Sequence, residues 1–164
     1  RSVQNLVLFD VFHHLEFPGS ALAEFQRVLK PGGRIVIFEP YPSFVGLICY
    51  GCFHAEPLGL LRPITWTAPS GWTPSDSSYY AAQGNAARVF QSKAYREHLK
   101  GWRIAERTVI SSLSYVASGG FSGPQLYPES LYPLLTGIDR IAGVAPLLFG
   151  TRLLVVLERV QCRA

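Results

Sequence analysis

A strand, a helix and a second strand follow one another over residues 5–39, and this run constrains the fold more than any other part of the chain. The apolar run Leu6–Phe9 closes on Asp10, and the apolar run Arg34–Phe38 closes on Glu39; both are typical of strands buried on two faces. The segment between them spaces its apolar residues as a helix does, and a Pro-Gly-Gly turn ends it. Such a unit is a right-handed parallel crossover in nearly all cases, so an α/β fold is predicted.

The rest of the chain predicts an insertion and then further helices and strands. Residues 41–61 predict a short helix with irregular ends, and residues 62–80, rich in Pro, Ser and Thr, predict a long lid or substrate loop. The later segments are predicted as a helix over 81–100 with Ala86, Phe90 and Ala94 inward, a strand over 104–115, short helices over 128–148 and a strand over 152–160.

These elements predict a single domain over residues 1–164 with a doubly wound α/β sheet. It divides into a strand–helix–strand core in 1–40, an insertion or lid in 41–80, and C-terminal helices and edge strands in 81–164. Hydrophobic residues make up 48% of the chain and charged residues 16%, which excludes a disordered protein.

The net charge of +4 does not by itself indicate a nucleic-acid partner. Six basic and two acidic side chains lie between Arg88 and Arg107, without the interleaved aromatic residues of single-strand binders, which favours a solvated helix face. The longest apolar run, Phe44–Phe53, is far shorter than the roughly 20 residues of a membrane span. We therefore expect a cytoplasmic protein with no nucleic-acid partner and no membrane span.

Polar residues collect where the two strands of the crossover end. Ligands of open α/β sheets bind outside the carboxyl ends of the strands, which is where Asp10 and Glu39 are placed. His13 and His14 follow in the same loop, and a histidine can accept a proton near neutral pH. For each of these side chains the alternative is a structural role, as a loop hydrogen bond or a partner for backbone amides. The aromatic insertion that follows favours an acceptor pocket over a plain cover for the sheet.

Cys49 and Cys52 form a C-x-x-C with His54 two residues further on. Such a pair can begin a zinc site or a redox motif, but a structural zinc site shows a second pair, which Cys162 alone does not supply. Two buried small residues on a helix are the preferred interpretation. No metal site is expected.

The segment NLVLFDVFHHLEFPGSALAEFQRVLKPGGRIVIFEP resembles the second half of a class I S-adenosylmethionine-dependent methyltransferase, of the small-molecule, type 11-like kind. The resemblance is specific over residues 3–42 and topological beyond them. It implies S-adenosyl-L-methionine as cofactor and a small or lipid-like molecule as acceptor. The residues it implies are Asp10, Val11 and Phe12 beside the cofactor, His14 and His13 as catalytic side chains, and Glu39, Tyr41 and His54 at the acceptor.

The family's glycine-rich loop and ribose-binding acid have no counterpart, since no G-x-G occurs in the sequence. The chain lacks Met and begins where the family's fourth strand would begin, so we expect the C-terminal part of a Rossmann-like methyltransferase sheet without its N-terminal cofactor-binding strands. The alternative is a non-catalytic α/β interaction module that has lost cofactor binding. Because Leu6–Phe9 would become an exposed edge, self-association through it is also expected.

Overall fold

A four-stranded mixed sheet organises the computed structural model, which describes residues 2–120 and 123–160. The strands are β1 (Val3–Phe9), β2 (Leu29–Pro40), β3 (Trp102–Ile110) and β4 (Arg152–Arg159). The helices are α1 (Pro18–Val28), α2 (Phe44–Cys52), α3 (Asn85–Gln91), α4 (Leu113–Ala117), α5 (Tyr132–Ala142) and α6 (Pro146–Phe149), with short 3-10 helices at Phe12–His14, Pro74–Asp76, Lys93–Leu99 and Glu129–Leu131. None of the helices in the described ranges is long and apolar enough to cross a membrane.

The strand order is β1-β2-β4-β3. β1 and β2 are parallel, which confirms the predicted crossover, whereas β4 runs antiparallel to both of its neighbours. The last strand therefore lies inside the sheet, and of the two C-terminal strands β3 is the one at an edge. Because β4 is reversed, its first residue, Arg152, pairs with Pro40 at the carboxyl end of β2. This reversal carries a basic side chain to the edge of the sheet where ligands are expected.

The helix predicted over residues 81–100 is broken at Ser92. Ser92 adopts an extended conformation between α3 and the 3-10 helix Lys93–Leu99, and its hydroxyl accepts a hydrogen bond from the Ala94 amide. A serine that caps its own downstream backbone in this way competes with helix continuation. The predicted inward position of Ala94 is wrong, because the new helix exposes Ala94 and buries Leu99 instead.

The strand predicted over residues 104–115 ends early, at Ile110. The amides of Leu113 and Ser114 donate to the Asp139 carboxylate at 2.5 and 3.2 Å, and this carboxylate from α5 holds the start of α4. Backbone donors at a helix start need such acceptors, so the segment turns into a helix here.

The core lies on the sheet and continues into the loop after β1. Its sheet residues have no more than 9% of their surface exposed, namely Leu8, Leu29, Ile35, Ile37, Trp102, Leu153, Val155 and Leu157. Phe12 has no exposed surface, and its ring packs 4.8 Å from that of Phe90 on α3. This contact fixes the loop that carries the two adjacent histidines.

Candidate functional site

The site begins at Asp10, where the chain leaves β1 in a left-handed conformation with φ 53°. This region is uncommon for residues other than glycine, although aspartate tolerates it better than most. The Asp10 amide donates to the Phe38 carbonyl at 2.9 Å, which continues the ladder to β2 for one more residue. The turn directs the next three residues across the end of the sheet.

The carboxylate of Glu39 stabilises that loop through hydrogen bonds to its backbone amides. Its side chain has no exposed surface, and its carboxylate accepts hydrogen bonds from the amides of Val11 at 2.8 Å and Phe12 at 2.5 Å. The other oxygen accepts from the His13 amide at 3.3 Å and contacts His13 Nδ1 at 2.5 Å. Glu39 thus satisfies the donors of a buried turn, which is the alternative to its predicted place at the acceptor, and it is not among the residues that line the cavity described below.

His13 lies between two carboxylates. Its Nδ1 contacts Glu39, and its Nε2 lies 3.2 Å from Glu56 Oε2. Burial by itself lowers the pKa of His13, but the hydrogen bond to Glu39 and the charges of the surrounding carboxylates outweigh it, so the pKa is raised from its ordinary value. An imidazolium ring in this position would donate to Glu39 from Nδ1 and to Glu56 from Nε2.

His14 is the more accessible of the two histidines, with about a third of its side chain exposed. Its Nδ1 lies 2.9 Å from the Tyr80 carbonyl, which can accept a proton carried on Nδ1. Its Nε2 lies 3.6 Å from Glu56 Oε1. The two histidine rings are 4.1 Å apart and face the same carboxylate.

Glu56 was not identified from the sequence, where no motif marks it. It follows the end of α2 in an irregular segment, and the tertiary fold brings it against both histidines. The Tyr79 hydroxyl donates to Glu56 Oε1 at 2.5 Å. Burial by itself raises the pKa of the Glu56 carboxyl. The hydrogen bond from Tyr79 and the charges of the neighbouring histidines lower this pKa by more, so the net shift is downward and Glu56 is ionised at neutral pH.

A cavity of about 830 Å³ opens at the carboxyl ends of β1 and β2, where Asp10 and Pro40 line it. This volume lies within the range of roughly 300–1,000 Å³ that is usual for small-molecule sites. Aromatic and apolar side chains form much of the wall, among them Tyr50 of α2, Phe53 directly after α2 and Tyr115 of α4. A smaller hollow of about 320 Å³ between α1 and residues 72–78 shares His14 with it.

Arg152 forms the far wall of this cavity, with 2% of its surface exposed. Its guanidinium lies over the rings of Phe9, Phe38 and Tyr115 at 4.6 to 5.3 Å from their centroids. Nη2 forms an ion pair with Asp10 Oδ1 at 2.6 Å. Within residues 2–120 and 123–160, Arg152 Nε is buried without a hydrogen-bond partner.

The structure brings four of the sequence-predicted site residues to the cavity: Asp10, His13, His14 and His54. The other four do not line it. Val11 is exposed, Phe12 and Tyr41 belong to the core, and Glu39 lies beneath the loop. Arg152 was missed because its position at the cavity depends on the reversal of β4. The signal that could have found it is the basic residue that opens the last strand.

The cysteine pair lies on a helix as predicted, but its two side chains are not both buried. Cys49 and Cys52 are free thiols on α2, but Cys49 is half-buried at the cavity wall and Cys52 is exposed. Burial, and then the neighbouring Cys52, raise the pKa of the Cys49 thiol. Cys162 lies outside the described residues.

Comparison with known protein families gives a match at the start of the chain. Residues 2–37 match the family model described as a methyltransferase domain, over β1, α1 and most of β2. No curated protein matches the chain. The matched segment contains Asp10, His13 and His14, and it supports a methyltransferase function of the class I, S-adenosylmethionine-dependent kind. The mixed four-stranded sheet is consistent with a Rossmann-like methyltransferase fold.

Proposed function

We propose that this chain supplies the acceptor side of a methyltransferase that moves the methyl group of S-adenosyl-L-methionine to a small or lipid-like molecule. One observation carries the proposal: the cavity opens at the carboxyl ends of β1 and β2, the two strands of the segment that matches a methyltransferase domain. Ligands of open α/β sheets bind at this end of the strands.

The Asp10–Arg152 ion pair at the cavity wall fits the methionine end of the cofactor. That end carries an ammonium group and a carboxylate, which are complementary in charge to Asp10 and to Arg152 respectively. S-adenosyl-L-methionine supplies a methyl group made reactive by its attachment to a sulfonium sulfur. The amides of Val11 and Phe12 are committed to Glu39, so these two residues shape the loop beside the cofactor and do not donate to it.

The acceptor is proposed to occupy the part of the cavity between the histidines and α2. His14 and His54 contribute polar edges there, and Tyr50 and Phe53 contribute apolar area, a combination that suits a small, largely apolar molecule with one polar group. Displacement at a methyl carbon requires mainly alignment of the two reactants. Glu39 acts as a positioning residue, since it holds the loop on which His13 and His14 lie.

The glycine-rich loop of such enzymes has no counterpart in these 164 residues, because no G-x-G occurs among them. We therefore propose that this chain provides the methionine end of the cofactor site and the acceptor site. The nucleoside end of the cofactor requires residues that this segment does not contain. The test accordingly uses protein expressed from the complete reading frame.

The experiment compares calorimetric binding of S-adenosylmethionine with that of methylthioadenosine, which lacks the amino-acid group. We expect Asp10→Asn to weaken S-adenosylmethionine binding tenfold or more, while methylthioadenosine binds as in the wild type, and the control Asp76→Asn to change neither. Methyl transfer is then followed with labelled cofactor and pooled small-molecule acceptors. A protein that binds neither ligand would overturn the proposal and favour the non-catalytic module.

A further inference from the structure

We infer that His13, His14 and Glu56 form a binding site for a divalent transition-metal ion of the zinc type, with an open coordination position toward the cavity. The three side chains offer two imidazole nitrogens and one carboxylate oxygen, all within 4.8 Å of one another. Two histidines and one glutamate are a donor set that holds zinc in catalytic sites, where the fourth position is left for water or substrate. Metal binding at these residues does not depend on methyl transfer.

The distances suit one ion bound by all three groups. Ligand atoms held at about 2.0–2.1 Å from a zinc ion in tetrahedral geometry lie roughly 3.3 Å apart. In the structure, His13 Nε2 is 3.2 Å from Glu56 Oε2, and His14 Nε2 is 3.6 Å from Glu56 Oε1. All the ligand atoms lie within 4.8 Å of one another, so the side chains must draw together by at most about 1.5 Å to surround one ion.

The Nδ1 atoms of both histidines contact acceptors, which leaves the Nε2 atoms to bind a metal ion. His13 Nδ1 contacts the buried Glu39 carboxylate at 2.5 Å, and His14 Nδ1 lies 2.9 Å from the Tyr80 carbonyl. An acceptor on Nδ1 keeps the proton there and leaves the Nε2 lone pair for a metal, and such carboxylate or carbonyl partners are usual for metal-bound histidines. The Glu39 carboxylate is not a surface group that happens to lie nearby, since it has no exposed surface.

The carboxylate has its own outer partner. The Tyr79 hydroxyl donates to Glu56 Oε1 at 2.5 Å, and the Gln83 amide nitrogen lies 3.4 Å from Oε2. Each of the three ligands is therefore oriented by a residue outside the group. The ligands also come from separate parts of the chain, the loop after β1 and the segment after α2, so an ion would join the two sides of the cavity.

His13 Nε2 lies 3.2 Å from Glu56 Oε2, which is an ion-pair distance when the ring is protonated. An ion with two positive charges takes the place of any proton on His13 Nε2 and binds all three groups at once. Because the ligands must be deprotonated, binding releases a proton to solvent. A purely structural ion pair would show neither proton release nor a bound metal.

The test uses tag-free, metal-stripped chain and two probes, Zn²⁺ by calorimetry and Co²⁺ by visible absorption. We expect about one equivalent of each ion to bind, with proton release, a rise in the melting temperature and Co²⁺ bands typical of nitrogen and oxygen ligands. Glu56→Gln and His14→Asn should each weaken binding roughly tenfold or more. The matched controls Glu129→Gln, on an exposed turn, and His98→Asn, which packs against Trp66, should bind as the wild type does.

The test uses a His14 variant because His14 is partly exposed and its replacement should not disrupt folding. A variant of the buried His13, whose replacement would endanger folding, is not needed. The inference is overturned if the wild type binds no ion, or if both ligand variants bind as tightly as the wild type does. It is also overturned if Co²⁺ shows a thiolate charge-transfer band that Cys52→Ser removes, since the ion would then be held at the cysteines. None of these outcomes depends on cofactor binding, so a failure here is distinct from a failure of the proposed function.

Discussion

Glu39 is the residue on which the geometry of the site depends most, because it has no exposed surface and accepts hydrogen bonds from three successive amides of the turn above it. We expect Glu39→Gln to lower the free energy of unfolding by about 2–4 kcal/mol, since an amide cannot accept all of these bonds and leaves buried donors unsatisfied. Urea denaturation measures the loss. The control Glu158→Gln, whose carboxylate pairs with two exposed arginines, should lose much less, and equal losses would contradict this role for Glu39.

The close packing of Gly19 on α1 leads to a second prediction for a single residue, a loss of stability on replacement by alanine. A Cβ built there would lie 2.1 Å from Trp66 Nε1, so the indole of the loop rests directly on the helix backbone. We expect Gly19→Ala to destabilise the protein by about 1–3 kcal/mol and to change the tryptophan fluorescence, because a rigid ring must move. Gly137→Ala is the control. Its Cβ meets nothing within 4 Å, so this change in α5 should be neutral or stabilising. A loss of similar size in both variants would count against the packing argument.

Among the strands, β1 is the one whose open edge is least protected against pairing with a strand of another molecule. No other strand in the described residues pairs with its outer edge, and the side chains of Val7 and Phe9 are 71% and 41% exposed. Unpaired edges without charged side chains recruit other strands, which is why self-association is expected at Leu6–Phe9. We propose that a second copy of the chain is what pairs there.

We expect sedimentation at tens of micromolar to show association of the wild type, and Val7→Lys to reduce it. Val7 is the suitable position because its neighbour Leu8 is buried, so that a lysine at residue 8 would damage the core. The opposite edge provides the control. β3 already carries Arg103, Glu106 and Arg107, and Ile104→Lys should leave association unchanged. A monodisperse wild-type monomer would contradict the prediction.

At the scale of the whole molecule, the Asp10–Arg152 pair joins the first strand to the last. Arg152 is almost fully buried among three rings, and its Nη2 is 2.6 Å from Asp10 Oδ1. We expect Arg152→Met to cost about 3 kcal/mol of stability, because it leaves a largely buried carboxylate without its cation. Asp10→Asn combined with Arg152→Met should recover part of that loss. A double-mutant cycle by urea denaturation measures the coupling, and strictly additive losses would show that the two side chains do not interact.

The order of elements in the first quarter of the chain was predictable because its signals are local. The apolar runs at β1 and β2 and the helical spacing of α1 need no tertiary information, and the resemblance in residues 3–42 coincides with the family match over residues 2–37. Asp10, His13 and His14 could be placed for the same reason, since a residue that directly follows a parallel strand lies at its carboxyl end.

The remainder of the site could not be read in this way. Glu56 lies in an irregular segment, and its neighbours His13 and His14 are more than 40 positions away in sequence. The direction of β4 decides which end of the sheet receives Arg152, and a strand pattern in sequence does not encode direction. The break at Ser92 depended on one side-chain hydrogen bond that competes with the helix.

The sequence by itself therefore determined the crossover, the α/β class and the loop that presents a carboxylate and two histidines, because backbone propensity and apolar spacing act between near neighbours. The tertiary structure alone decided what faces that loop. It buried Glu39 beneath the loop, brought Glu56 and Tyr79 to the histidines and set Arg152 against Asp10. These contacts join segments far apart in the chain, and which of them form depends on how the whole sheet and its insertions pack.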